Sequence, residues 1–228
     1  MKYCFLTPIL EAQIAEIRRK IMLSMNGIVS EKMTQSGIVY KKNYGVDIPR
    51  IKEIAATYMQ SSDLAQRLWL TNIRETMIMA SLLYPKDKFT KQTANEWVAE
   101  FHHIELVEQV SMNLFQKLPY ANELCLDWIN SDHIWTSITG FVLSARIYDK
   151  LSLEDKYLIV NKAVELSSSA DLHLYKAIAL SLARMCRANK EIATYISTQL
   201  DVISGTNSIS QRYICSEVKQ EIFFLDIL

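Results

Sequence analysis

Asp47-Ile-Pro-Arg-Ile-Lys-Glu-Ile-Ala-Ala-Thr-Tyr58 (DIPRIKEIAATY) contains a start signal and one complete apolar face. Asp47 is an N-cap residue whose carboxylate suits an orphan amide of the first helical turn, and Pro49 sits where a missing N–H costs little. Ile51, Ile54, Ala55 and Tyr58 recur at steps of three and four, which brings them to one side of a helix. This short segment is predicted to be an amphipathic helix, and the same reading extends in both directions along the chain.

Towards the N-terminus, Thr7-Pro8 opens a helix in which Leu10, Ile14, Ile17 and Ile21 form the apolar stripe. Arg18, Arg19 and Lys20 turn away from that stripe, and Asn26-Gly27 is predicted to end the helix. Towards the C-terminus, Asn72 with Glu75 and Ser152 with Asp155 read as capping pairs, while Pro85 and Pro119 stop helices. This punctuation predicts roughly a dozen helices joined by short polar connections. No segment alternates as a strand would, so the fold class is all-α. Either a globular bundle or a solenoid of antiparallel helix pairs fits. Trp69, Trp97 and Trp128 are spaced by similar intervals, favour the solenoid and, with Trp135, are expected in the repeat core.

Composition agrees. The 228 residues include only five glycines and four prolines, too few for the frequent turns of an all-β fold. The length suits one buried core, so a single domain over residues 1–228 is expected. No apolar run is long enough for a membrane span, and the apolar part of MKYCFLTPILEAQ is too short for a signal peptide. Cys4, Cys125, Cys186 and Cys215 are scattered without C-x-x-C spacing, which points to reduced thiols in a cytoplasmic protein. No metal and no cofactor are expected. Net charge is zero, but residues 1–60 hold nine basic against five acidic side chains. A neutral chain can still present a basic face, and local potential is what attracts phosphates.

One segment concentrates chemistry: Phe101-His-His-Ile-Glu-Leu-Val-Glu-Gln-Val110 (FHHIELVEQV). Read as a helix, it turns adjacent His102 and His103 apart, so they cannot grip one metal as an i, i+4 pair does. Ile104, Glu108, Ser111 and Phe115 fall on one line, which sets Glu108 beside an apolar ridge; Glu105 falls on a more solvated line with Gln109. His133 follows the N-cap candidate Asp132, and His173 is isolated. No spacing calls for a Cys–His nucleophilic pair.

Four blocks carry a family resemblance: WINSDHIW (128–135), NYGVDIPRIKEIA (43–55), AQRLWLTNIRETMIMASLLY (65–84) and DLHLYKAIALSLARM (171–185). In order and spacing the chain resembles the bacterial DNA alkylation repair proteins of the AlkD-like type, built from HEAT-like helical repeats. The resemblance spans about residues 30–190. It implies a C-shaped or right-handed solenoid, acting as a monomer, whose concave face holds double-stranded DNA, alkylated or not. Active members of that family hydrolyse the N-glycosidic bond of cationic alkylpurines, using a carboxylate and tryptophan faces against positive charge developing on the deoxyribose.

The resemblance places the family's acid, usually an aspartate, at Glu108. The family's tryptophan one turn earlier is matched by Ile104, its arginine after Trp135 by Ile138, and its later tryptophan by Leu180. An aliphatic side chain has no π quadrupole and cannot grip a phosphate. Binding can outlast that loss: His173, Lys176, Leu180, Arg184 and Arg187 share one side of their helix, with Lys190 following. In the resembling proteins this side faces DNA. Lys41 and Lys42 add positive charge nearer the N-terminus. Two readings therefore stand: a DNA-binding alkylpurine glycosylase with Glu108 as its acid, or an inactive repeat module recognising DNA structure or a protein partner.

Overall fold

The computed structural model describes residues 7–205 and 208–226. Among them the chain forms thirteen α-helices and one 3-10 turn, with one isolated parallel bridge between Lys42 and Ile73 and no strand. The all-α expectation holds. Cys4 lies outside the described residues. The helices fall into two compact units, Met1–Thr90 and Lys91–Leu228, each with its own packing.

The first unit contains α1 (Pro8–Leu23), α2 (Gly27–Gln35), α3 (Ile48–Ala55), α4 (Ser62–Leu70) and α5 (Arg74–Leu83). Thr7 caps α1 by accepting from the Leu10 amide at 3.2 Å, and Asp47 caps α3 by accepting from the Arg50 amide at 2.8 Å. Leu10, Ile17 and Ile21 of α1 and Ile51, Ile54 and Ala55 of α3 are buried. Two boundaries differ from the sequence reading. The first helix stops at Leu23, and Asn26 instead opens α2, its side chain accepting from the Val29 amide at 3.2 Å. Asn72 has φ 54° and caps nothing; Ile73 stands at the N-cap of α5.

Glu75 has different work. Fully buried, it accepts from the Tyr44 amide at 3.1 Å and the Val46 amide at 3.2 Å, and pairs with Arg74 at 3.1 Å. Arg74 donates onward to the Val46 carbonyl at 2.7 Å. These bonds strap residues 42–46 across the start of α5, because a buried carboxylate needs donors wherever the chain can supply them. The strap passes α2 so closely at Gly45 (φ 69°) that a Cβ there would lie 2.1 Å from the Asn26 carbonyl oxygen. Lys41 and Lys42 are exposed on this strap, with the Lys42 ammonium 4.7 Å from the Tyr44 ring centroid.

The second unit contains α6 (Lys91–Val98), α7 (Ile104–Asn113), the 3-10 turn Phe115–Lys117, α8 (Ala121–Ile129), α9 (Ile134–Ile147), α10 (Leu153–Glu165), α11 (Leu172–Cys186), α12 (Lys190–Ile203) and α13 (Ile209–Phe224). Its helices build two layers. α7, α9, α11 and α13 lie side by side in one, and α8, α10 and α12 follow one another in the second. Short connections fold α8 onto α9, α10 onto α11 and α12 onto α13, as in stacked helical repeats. Phe101, Phe115 and Trp128 form an aromatic core, with Phe115 and Trp128 centroids 5.1 Å apart. Trp69 in the first unit and Trp97 and Trp128 in the second are buried, as expected of core tryptophans. Trp135 is not: it is half-buried at the start of α9, its ring 5.3 Å from that of His173.

Candidate nucleic-acid interface

Three neighbouring helices of the second unit carry the candidate residues. α7 presents Glu108, α9 presents Arg146 and α11 presents Lys176, Leu180 and Arg184, with Arg187 at its C-cap. α9 and α11 are held in register by a buried 2.6 Å hydrogen bond between the Ser144 and Ser181 hydroxyls. Their basic residues Arg146 and Arg184 stand in the last helical turns, where the helix dipole favours positive charge.

Glu108, Gln116, Val142, Ala145, Arg146, Tyr148, Leu180 and Arg184 line a hollow of about 240 Å³. A second hollow of about 460 Å³ lies between α11 and α13, with Lys176, Leu180, Arg184, Arg187, Tyr213 and Glu221 in its walls. Leu180 and Arg184 border both. The structure therefore gathers Lys176, Arg184 and Arg187 into one hollow and places Glu108 in its neighbour. Lys41 and Lys42 belong to the first unit.

The sequence reading of Glu108 and Glu105 is reversed. Glu108 is exposed and Glu105 half-buried, because the core-facing ridge of α7 runs through Leu106, Val107 and Val110. The apolar surface near Glu108 comes from Val142, Ala145 and Leu180 on adjacent helices. The histidines also move: α7 begins at Ile104, so His102 and His103 precede the helix rather than ride on it. His133, not Asp132, occupies the N-cap of α9, with its Nδ1 3.1 Å from the Thr136 hydroxyl.

Arg146 was missed. It stands four residues beyond Val142 and eight beyond Ile138, on the same side of α9. Ile138, matched to the family's arginine, is wholly buried and cannot reach a ligand. The Arg146 Nε is buried without a hydrogen-bond partner. Burial lowers the pKa of its guanidinium; the Glu108 charge raises it and the Arg184 charge lowers it again. Arg146 is thus within electrostatic reach of both Glu108 and Arg184, which line the same hollow. The detectable signal was a lone arginine continuing the line of an apolar stripe.

The larger hollow is partly self-neutralised. Arg187 is ion-paired with Glu221 of α13, and the Lys176 ammonium lies 6.0 Å from the Tyr213 ring centroid. Lys176, Arg184 and Arg187 are all exposed. Elsewhere the chemistry is quiet. Burial raises the Cys125 thiol well above its usual range and the Cys186 thiol to about 12, which disfavours a thiolate nucleophile at either. No group of His, Cys, Asp and Glu among the described residues could hold a metal ion, and no described helix is long and apolar enough to cross a membrane.

A search of curated proteins finds no match. One solved structure superimposes with a TM-score of 0.76 at 12% identity, covering 90% of this chain and 94% of that one. It represents "a new family of proteins related to the HEAT-like repeat DNA glycosylases with affinity for branched DNA structures". At that identity the likeness shows the fold, the HEAT-like stacking of helix pairs. The family model described as DNA alkylation repair enzyme matches residues 26–199, which takes in the strap on α5 and helices α7, α9 and α11 of the two hollows but not α13. By that match this chain belongs to the DNA alkylation repair enzyme family.

Proposed function

We propose that the chain binds DNA through the α9–α11–α13 face of its second unit and favours branched over uninterrupted double-stranded DNA, without excising bases. The carrying observation is the grouping of Arg146, Lys176, Arg184 and Arg187 around two adjoining hollows in a member of this family. Backbone phosphates supply most of the affinity in such an interface, and guanidiniums at helix C-termini are suited to grip them. The structurally similar protein's affinity for branched DNA supports the preference for branch points. Lys41 and Lys42 of the first unit are proposed as auxiliary phosphate contacts.

Base excision is the second reading, supported by the position of Glu108 in the smaller hollow. Against it stand Ile104, Ile138 and Leu180, none of which offers an electron-rich face to a developing cation. Arg146 also stands in the field of Glu108, where catalysis needs that field aimed at the sugar.

Titrating duplex and four-way-junction DNA at two salt concentrations, beside a release assay on methylated DNA, separates these readings. Tighter junction binding that weakens steeply with salt, with no freed methylpurine, is the expected result. Release that disappears in Glu108→Gln selects the glycosylase reading. An absence of binding to either DNA at low salt overturns both.

A further inference from the structure

The smaller hollow has a composition that phosphate binding alone leaves unexplained. A surface that only tracks the DNA backbone gains nothing from a carboxylate, since Glu108 repels the phosphates that Arg146 and Arg184 attract. Beyond balancing the Arg146 guanidinium, Glu108 serves a ligand that brings hydrogen-bond donors together with its negative charge, because an ionised carboxylate accepts and cannot donate. Phosphates and the deoxyribose in a DNA strand carry no such donor. The donors of a nucleotide belong to its base, and only the pairing edge of guanine offers two of them side by side, N1–H and N2–H, to the two oxygens of a carboxylate.

The remaining wall residues fit the rest of such a ligand. Leu180, 40% exposed, offers apolar surface over a floor of buried Val142 and Ala145, and the half-buried Tyr148 adds a ring. Base faces pack on apolar and aromatic side chains with little regard to sequence.

We propose that the hollow of Glu108, Arg146, Tyr148, Leu180 and Arg184 seats one unpaired nucleotide at a DNA branch point. Its phosphate lies on the two guanidiniums, and its base turns its pairing edge to Glu108. The seat rests on the DNA-binding reading above and deepens it: in an uninterrupted duplex that edge is occupied by the partner base. A carboxylate prefers guanine, whose parallel N1–H and N2–H groups match its two oxygens. Thymine is disfavoured, because its single N–H is flanked by two carbonyl oxygens that the carboxylate repels.

The test uses the full chain and three-way junctions that differ at one position of the branch: an unpaired guanine, an unpaired thymine, or none. The expected result is roughly tenfold tighter binding of the guanine junction than of the thymine junction, as for a good bidentate base contact. Glu108→Gln, at an exposed position, removes that discrimination. Arg146→Ala weakens all three alike, and circular dichroism of each variant confirms its helical content. Equal binding of guanine and thymine junctions by the unaltered protein overturns the seat and leaves the DNA-binding reading intact. Binding of none of the junctions overturns both.

Discussion

At the scale of single residues, buried charge separates what holds the molecule together from what it offers to a ligand. Glu75 is fully buried, accepts from two backbone amides and faces Arg74, itself almost entirely buried. Its replacement removes the carboxylate that faces a buried guanidinium and releases the two strap amides. Glu75→Ala should lower stability by about 3–5 kcal/mol, the usual cost of breaking a buried pair from one side. Urea denaturation of the variant checks this, and a loss below about 1 kcal/mol would contradict the role assigned to the strap. In sequence this glutamate looked like a capping residue, because the three-residue offset from Asn72 fits that motif as well. Only the fold reveals that its partners lie some thirty positions earlier, at Tyr44 and Val46. Arg146 was hidden for a related reason: its importance comes from Glu108 and Arg184 on other helices, and no local pattern encodes them.

At the scale of helices, local chemistry was a far better guide. Thr7, Asp47 and Ser152 each cap the helix that their position announces, and Pro85 and Pro119 follow helical segments. A cap is a bond between neighbours in sequence, so sequence can display it. Asn26-Gly27 was ambiguous, since asparagine begins helices as readily as Asn-Gly ends them. Helix crossings are less visible. At Gly140 a Cβ would lie 2.6 Å from the Ile129 amide nitrogen and 3.0 Å from the Trp128 carbonyl carbon, so α8 and α9 meet backbone to backbone. Backbone cannot step aside as a side chain can. Gly140→Ala should therefore destabilise by at least the roughly 1–3 kcal/mol typical of overpacking, despite alanine's better helix propensity. A raised midpoint of thermal unfolding would show instead that the two helices can separate without loss.

At the scale of the whole molecule, zero net charge conceals a local excess. Lys176, Arg184 and Arg187 meet at one hollow beside Glu217 and Glu221, and Arg146 stands with Glu108 in its neighbour, so four cations against three carboxylates leave an excess of one on this face. The all-helical class and the family blocks could be read from periodicity and order. The two hollows could not, because each is assembled from helices distant in sequence, as when Glu221 of α13 comes to face Arg187.

That ion pair gives the face an internal rival for DNA. A phosphate arriving at Arg187 must first dislodge a carboxylate tethered to the same fold, so this arginine does little to expel the mobile cations condensed on the nucleic acid. The slope of log affinity against log salt then undercounts the arginines and lysines present. Glu221→Gln frees Arg187 and should steepen that slope by about one, with the largest gain in affinity at the lowest salt. Parallel lines for the two proteins would mean that α13 keeps Arg187 out of the interface altogether.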